Sequence, residues 1–340
     1  MPTFSQSIEP LPESLTNNSV ASLKHNNEYF IASFYGLAAG KSRIDIKSNA
    51  YLWSSQNKHW KRLPNLPGKG RLASTAAAIG DAFYIVGGYS VDEKGHEIST
   101  SEIYALSFPF KQYQLITHMP VAVDDALLSV YKERFLVLVS GWHDSGNSVR
   151  VQFYDVQQNL WSQATTFPGA PVFGHSGAIM GNQILVVDGV GVVGKNNGKR
   201  QFANISQAWL GTINPQFPTQ IEWEKITNHL GLPRYRSAAI ALPGKNKIVF
   251  IGGSENPYNY NGIGYDGVPS EPSSRLLIFD LDKKCWLNNT IQGPDIMDLR
   301  NITRVENNIM VVGGMRVAQK VSKQIHLFNI NNLPTNLKCN

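Results

Sequence analysis

"FYIVGG", residues 83–88, is an apolar run that ends in two glycines, and variants of it recur along the 340-residue chain. Six copies are present, at 30–36 ("FIASFYG"), 83–88, 135–141 ("FLVLVSG"), 184–189 ("ILVVDG"), 248–253 ("IVFIGG") and 309–314 ("IMVVGG"). Self-similarity at a near-constant period is the sequence signature of a repeat architecture. The fold is therefore expected to consist of six equivalent units.

The segments around each copy have the lengths and patterns of short strands. Each copy is followed by a loop and an alternating run with an aromatic residue, such as "EIYALS" at 102–107, and five are followed by a further run such as "HWKRLPNLP" at 59–67. A run rich in Ala and Ser precedes them, as in "RLASTAAAIG" at 71–80. Four short strands per unit, at a period of roughly 50 to 60 residues, are typical of a β-propeller blade.

These repeats resemble the kelch repeat over essentially the whole chain. The resemblance implies an all-β fold, a six-bladed kelch-type β-propeller in one domain over residues 1–340. The predicted blades lie at about 14–67, 68–120, 121–168, 169–233, 234–294 and 295–335. The sixth unit lacks an outer strand, and the N-terminal segment matches the missing part. We therefore expect residues 3–12 to close the ring by pairing with the last blade, because closure removes an open sheet edge.

Composition favours a soluble globular protein and excludes two classes of partner. The chain is 42% hydrophobic and 16% charged, and its formal net charge of +6 comes from scattered basic residues. No Lys/Arg-rich block predicts nucleic-acid binding, and no apolar run reaches the roughly 18 residues of a membrane-spanning helix. Because "MPTFSQSIEPLPESL" lacks the features of a signal peptide, we expect a cytoplasmic location; a periplasmic or secreted one stays open if a leader has been removed.

The two cysteines, Cys285 and Cys339, are too few for a zinc site. Cys285 is expected to be unreactive packing beside Trp286. A Cys285–Cys339 disulfide is the less favoured alternative, because such bonds are scarce in cytosolic chains.

One face of the propeller should hold the functional residues. In a four-stranded meander, the loop after each glycine pair and the link into each new blade share a face, which we call the loop face. The candidates on it are, for catalysis, His143, Asp125 and His175, and for substrate binding, Arg71, Arg234, Arg236, Arg300, Trp142, Tyr258, Asn259 and Tyr260.

The longest of these loops but one, "GGSENPYNYNGIGYDGVPSEPSSR" at 252–275, is interpreted as a binding wall or lid. Long ordered loops are commonly functional. Tyr258, Tyr260 and Tyr265 offer flat faces for a sugar ring, and the Asn residues between them can bond hydroxyl groups. The alternative is a loop packed by its own Pro and Tyr residues that only caps the blade.

Proton transfer has several candidates. His143 could act as an acid or base near neutral pH, oriented by Asp144 or Asp125, or be a surface histidine in a turn. His175 could equally bond a neighbouring carbonyl. Asp124 and Asp125 are adjacent, so in a strand only one should face the channel. Beside an arginine it would be ionised, and if isolated its pKa would rise and make it a proton donor.

The arginines predict an anionic small-molecule ligand, because a guanidinium group binds a carboxylate through two hydrogen bonds. Alternatively, they tie blades together through loop carbonyls. Asp124, His143, Asp144 and His175 have no metal-ligand spacing, so neither a metal nor a cofactor is expected.

Among kelch enzymes, the chain resembles the sialic acid mutarotase, or N-acetylneuraminate epimerase, family. The resemblance implies anomer exchange of an anionic sugar, with His143 and Asp125 transferring protons, Arg234 and Arg236 binding the carboxylate, and Tyr258 and Tyr260 holding the ring. Whether the protein is an enzyme stays open. The alternative is a non-catalytic kelch module that binds a protein partner or small molecule through the loop face.

Overall fold

The computed structural model describes residues 8–288, 291–334 and 337–339. Six antiparallel sheets, the blades, surround a central channel, as the sequence predicts. The inner strand of blade one contacts the inner strands of both blade two and blade six, so the ring is closed.

Five blades are four-stranded meanders, and blade six has three strands in the described part of the chain. The strands are, in blade one, Ser19–His25, Glu28–Phe34, Ala50–Ser54 and Trp60–Arg62; in blade two, Thr75–Ile79, Ala82–Val86, Glu102–Ser107 and Tyr113–His118; in blade three, Leu127–Tyr131, Phe135–Val139, Val151–Asp155 and Leu160–Gln163; in blade four, Ser176–Met180, Gln183–Val187, Ala208–Ile213 and Ile221–Ile226; in blade five, Ala238–Leu242, Lys247–Ile251, Leu277–Asp280 and Cys285–Trp286; in blade six, Thr303–Val305, Asn308–Val312 and Ile325–Asn329.

In the described part of the chain, short pairs of strands and three 3₁₀ helices lie outside the blades. The pairs are Leu15–Thr16 with Leu37–Ala38, Tyr89–Val91 with Glu97–Ser99, Trp142–His143 with Gly146–Asn147, Val190–Asn196 with Lys199–Asn204, and Met315–Arg316 with Lys320–Val321. The helices are Arg43–Asp45, Val317–Gln319 and Ile330–Asn332. No helix in the described ranges is long and apolar enough to cross a membrane.

Residue size along each blade explains the packing. Inner strands such as "TAAAI" carry small residues, which let six strands approach one another around a channel of about 270 Å³. Second strands such as "FLVLV" are almost wholly buried, because neighbouring blades cover both faces. Trp286 packs between blades, with its ring 5.4 Å from that of Phe250 and its Nε1 donating to Thr227 O of blade four at 2.9 Å.

A ring of left-handed residues encircles the channel at the start of the blades. At this position each blade has a residue with a positive φ, and we call this set the ring residues: Asn17 (57°), Ala73 (53°), Asp125 (51°), Gly174 (60°), Arg236 (53°) and Asp298 (63°). Backbone N–H groups of Asp125, Gly174, Arg236 and Asn17 donate to the carbonyl of the preceding ring residue at 2.8–3.1 Å. Leu299 N bonds Arg236 O at 3.1 Å, and Ala73 N bonds the Asn17 side chain, which completes the circuit.

The described part of the predicted closing segment lies against blade six. Leu11 N donates to Lys323 O at 2.8 Å, and Leu15 N donates to Ser322 O at 3.0 Å. Leu11 is 1% exposed and packs in the same cluster as Met310 of blade six. Residues 3–7 of this segment fall outside the described residues.

Cys285 and Cys339 form a disulfide, with Cα atoms 5.7 Å apart, so the expectation of an unpaired Cys285 was wrong. The C-terminal segment pairs with the outer edge of blade five, where Asn288 N donates to Lys338 O at 2.8 Å and Leu287 bridges to Cys339. This pairing between residues distant in sequence brings the cysteines together, and their spacing alone does not reveal it.

Leu11→Ala should lower the free energy of unfolding by about 2–5 kcal/mol, because it removes a buried leucine side chain at the junction of the ring. Urea unfolding measures the change. Leu115→Ala is the matched control, because Leu115 is 52% exposed and its loss should cost less than about 0.5 kcal/mol. Equal effects of the two substitutions would contradict the role of the N-terminal segment in closure.

Reduction of the disulfide should lower the free energy of unfolding by about 2–4 kcal/mol, because the bond constrains the unfolded chain. The measurement is urea unfolding with and without a reductant. The Cys285→Ser/Cys339→Ser variant should match the reduced protein and should not respond to the reductant. Identical unfolding of the oxidised and reduced protein would refute the bond.

Candidate functional site

The hairpins after the glycine pairs lie beside the ring residues, on the loop face. The residue before each ring residue forms a bridge with its blade's own hairpin or loop. The pairs are Thr16 with Leu37, Leu72 with Tyr89, Asp124 with Trp142, Phe173 with Val190, Tyr235 with Ser254, and Met297 with Met315. The blade starts and loops therefore form one surface.

A cavity of about 210 Å³ opens among these loops. Sequence candidates that line it are Asp125, Trp142, Arg236, Tyr258, Asn259 and Tyr260, together with Asp124 and Tyr265. The remaining lining residues are Tyr89, Glu97, Phe173, Arg200 and Phe202, which sequence reasoning missed. Glu97, Arg200 and Phe202 lie on the returning arms of two hairpins, which the meander rule already placed on the loop face.

Buried ion pairs form the floor of the cavity. The Arg236 guanidinium donates to Asp125 Oδ2 through Nη2 at 2.6 Å and Nε at 3.1 Å, and to Asp298 Oδ1 through Nη1 at 2.9 Å. Arg300 forms an ion pair with the other oxygen of Asp125. Thr16 and Asn17 each donate to Asp298 at 2.8 Å. The charge of Arg236 is thus already balanced by two carboxylates.

Asp124 is a buried carboxyl of a different kind. It is 4% exposed and accepts a hydrogen bond from Ser99 Oγ at 2.7 Å. Burial raises the pKa of Asp124 to about 7, with the nearby Glu97 adding to the rise and Arg236 opposing it. Near neutral pH this group can therefore donate or accept a proton.

Both Asp124 and Asp125 line the cavity, so the expectation that only one of them could face inward was wrong. The alternation of side chains holds for extended backbone, whereas Asp125 has φ of 51°. Each of the two predicted environments occurs: Asp125 is held by arginines, and Asp124 has a raised pKa.

Aromatic rings form the walls. The Trp142 ring lies 5.4 Å from Phe173 and 5.8 Å from Phe202, and Phe202 lies 4.5 Å from Tyr265. The Arg200 guanidinium lies 5.0 Å from the centre of the Trp142 ring, and its Nη2 donates to Ser145 O at 3.2 Å. Within the described part of the chain, Arg200 forms no ion pair with a carboxylate, so its charge is available to an anion.

The long loop at 252–275 forms one wall and is anchored at both sides. Tyr258 is fully buried, 5.0 Å from the Tyr235 ring, whereas Tyr265 is 36% exposed at the rim. The Gln319 side chain of blade six donates to Ser270 O at 2.8 Å. The loop thus caps its blade through Tyr258 and also lines the cavity. It combines both interpretations from the sequence, a cavity wall and a cap on the blade.

Arg71 and Arg234 lie outside the cavity. Each donates through Nη1 to the carbonyl of the first glycine of its own blade's pair, Gly87 at 3.2 Å and Gly252 at 3.3 Å. Arg71 also pairs with Glu102 at 3.2 Å. Their guanidinium hydrogen bonds stay within their own blades, and Arg71 also lies 5.5 Å from the Tyr35 ring of blade one. Arg300 is not a lining residue either and lies beneath the floor with Asp125.

The two histidines are also absent from the cavity lining. His143 belongs to the short hairpin, where its Nδ1 lies 3.0 Å from Ser145 Oγ. His175 is 6% exposed with Nε2 3.0 Å from Val139 O, and burial lowers its pKa to about 4. His175 therefore bonds a neighbouring carbonyl, which was the alternative to a catalytic role. Among the described residues, no three potential ligands converge as a metal site.

The Asp124 carboxyl should titrate with a midpoint near pH 7 in ¹³C NMR, and Ser99→Ala should raise that midpoint, because it removes the hydroxyl that stabilises the ionised form. Ser101→Ala is the control, since Ser101 bonds His118 instead.

The raised pKa has a consequence for stability. Between the ordinary value of 3.8 and about 7, the folded protein keeps a proton that the unfolded chain releases. Asp124 therefore makes the free energy of unfolding fall as pH rises through this interval. Asp124→Asn should lack this contribution. A midpoint near 4 in the wild type would contradict the burial of the carboxyl.

The geometry and the repeats define a six-bladed kelch-type β-propeller with a polar and aromatic cavity on its loop face. A scan against protein-family models finds no match. The chain is 28% identical over 138 residues to Kelch-like protein 33 of Homo sapiens, covering 40% of this chain and 25% of that protein. It is 21% identical over 223 residues to N-acetylneuraminate epimerase of Salmonella typhi, covering 55% of each.

The solved structure of YjhT aligns with a TM-score of 0.75 and 14% identity, covering 97% of this chain and 99% of that one. At this identity the match establishes the fold alone. The chain spans about half the length of the epimerase and a quarter of Kelch-like protein 33. The kelch resemblance seen in the repeats is confirmed, and both groups are its distant relatives.

Proposed function

We propose that this propeller is a carbohydrate-active enzyme that exchanges the anomers of an anionic sugar, such as a sialic acid, in the loop-face cavity. The carrying observation is Asp124, a buried carboxyl whose pKa of about 7 suits proton transfer at neutral pH. The distant similarity to N-acetylneuraminate epimerases supports the same reaction class.

Anomer exchange needs two proton transfers. An acid protonates the ring oxygen while a base takes the proton of the anomeric hydroxyl, the ring opens, and it closes on the other face of the carbonyl. We assign the acid role to protonated Asp124 and the base role to Glu97, the second carboxyl at the cavity whose pKa is raised by desolvation. These residues replace His143, which lies outside the lining, and Asp125, which two arginines hold.

Arg200 is assigned to the substrate carboxylate in place of Arg234 and Arg236. Arg236 is committed to Asp125 and Asp298, and Arg234 to backbone carbonyls. Arg200 is a lining cation that stacks on Trp142 without a carboxylate partner in the described residues. Tyr260 and Tyr265 would stack on the sugar ring, and a cavity of about 210 Å³ suits one sugar unit.

The disulfide bears on where the protein works. Disulfides persist in oxidising compartments and are rare in the cytosol. We therefore propose a periplasmic or extracellular location rather than the cytoplasmic one expected from the N-terminal sequence.

NMR exchange spectroscopy on reducing sugars, with N-acetylneuraminate among them, tests the function. The protein should accelerate exchange of an acidic sugar, and Asp124→Asn should reduce the rate by about 100-fold or more, the scale of lost acid–base catalysis. Arg200→Gln should weaken the binding of acidic sugars more than the binding of neutral ones.

His143→Ala is the control and should retain exchange, because His143 lies outside the cavity lining. Full activity of Asp124→Asn would exclude the assigned acid. If the protein accelerates exchange of no sugar, a second function gains weight: a protein-binding module, favoured by the similarity to Kelch-like protein 33 and by exposed apolar side chains such as Val193 and Val268 on the loops.

A further inference from the structure

A second concave site lies on the loop face at blade six. It has a volume of about 500 Å³ and lies between Ser14 of the N-terminal segment and the Met315–Arg316/Lys320–Val321 hairpin. Arg316, Lys320 and Lys323 line it, and all three are exposed. We call this site the basic groove.

The cations of the basic groove lack carboxylate partners. Within residues 8–288, 291–334 and 337–339, no ion pair is formed by Arg316, Lys320 or Lys323. Lys41 adds a fourth cation, with Nζ donating to Gln319 O at 2.9 Å. The nearby carboxylate is Glu271, which accepts from Gln319 Nε2 at 2.9 Å and Ala318 N at 3.2 Å. The lining of the groove itself thus contains three cations and no carboxylate.

The hairpin places two of these cations directly opposite each other. Arg316 pairs with Lys320 in the strand register, and like charges in directly opposed positions destabilise a sheet. The charge of Arg316 also reaches the half-buried His326, where it adds to the effect of burial in lowering the pKa. An anion in the groove would relieve this repulsion, which gives the arrangement a physical reason.

The blade-five loop, which lines the cavity, contacts the blade-six hairpin, which lines the basic groove. The blade-five loop presents Tyr260 and Tyr265 to the cavity, while its Ser270 O accepts from Gln319 of the blade-six hairpin. Gly262 of the same loop lies against Met315 and Gln319, where a Cβ atom would approach both side chains to 2.7 Å. The loop therefore packs between the cavity and the hairpin that carries the groove.

We propose that the basic groove binds acidic oligosaccharides, whose successive carboxylates match its lysines and arginine. The inference rests on the proposed function for its ligand class, a chain of anionic sugar units. Exposed ammonium groups in a groove bind carboxylates without strict geometry, which suits a flexible polymer better than a single fixed sugar.

Calorimetric titration with an N-acetylneuraminate trimer tests the groove. The trimer should bind more tightly than the monomer, and binding should weaken as salt rises. Lys320→Gln/Lys323→Gln should lower the affinity for the trimer roughly tenfold, which is the scale of two exposed ion pairs. The affinity for the monomer should fall by less. Maltotriose, a neutral trimer, should show no such dependence.

Lys61→Gln/Lys225→Gln is the matched control, because it removes the same charge from exposed positions on the outer strands of blades one and four. Equal trimer affinity of the groove variant and the wild type would overturn the proposal. So would inorganic phosphate that binds the groove as tightly as the trimer. Trimer binding that needs Lys320 and Lys323 in a protein without anomer exchange would keep the groove and reject the proposed function.

Discussion

The circuit of hydrogen bonds through the ring residues is the constraint on which the rest of the structure depends. Five links join the backbone of one blade to the backbone of the next, and the sixth uses the Asn17 side chain. At each position a left-handed residue turns the chain from the loop face into the inner strand. For a residue other than glycine this conformation costs roughly 1–2 kcal/mol. Five of the six positions are not glycine, so the surrounding hydrogen bonds must offset a repeated cost.

Side chains of the ring residues then decide what stands at the end of the channel. Asp125, Arg236 and Asp298 form a network that spans blades three, five and six, whereas the Tyr235 ring occupies the space beside Gly174. Replacing such a network by apolar residues is often tolerated, whereas removing one partner leaves a buried charge and is costly. The network thus connects blade three to blades five and six, which are not its neighbours, and it forms the floor of the cavity.

The fold was predictable because each blade repeats the same local signals. Six apolar runs that end in glycine, three of them in a glycine pair, and the alternation around them specify the strands and their number. The meander rule placed Trp142 and Tyr258 on the correct face. The roles of the arginines were not predictable, because Arg71 and Arg234 occupy a repeated position that braces their own blade. The prediction that Asp124 and Asp125 point to opposite sides assumed a regular strand, and the positive φ of Asp125 breaks the alternation of side chains. The disulfide depended on a pairing of distant segments.

The chemistry of the cavity depends on charges that cancel beneath it. An arginine directly facing a buried carboxyl would ordinarily hold the pKa of that carboxyl low. Arg236 is divided between Asp125 and Asp298, so its effect on Asp124 is smaller than that of burial, and the pKa of Asp124 comes to about 7. The hydrogen bond from Ser99 lowers it only in part. The same ion pairs that hold three blades together therefore leave one carboxyl able to exchange a proton near neutral pH.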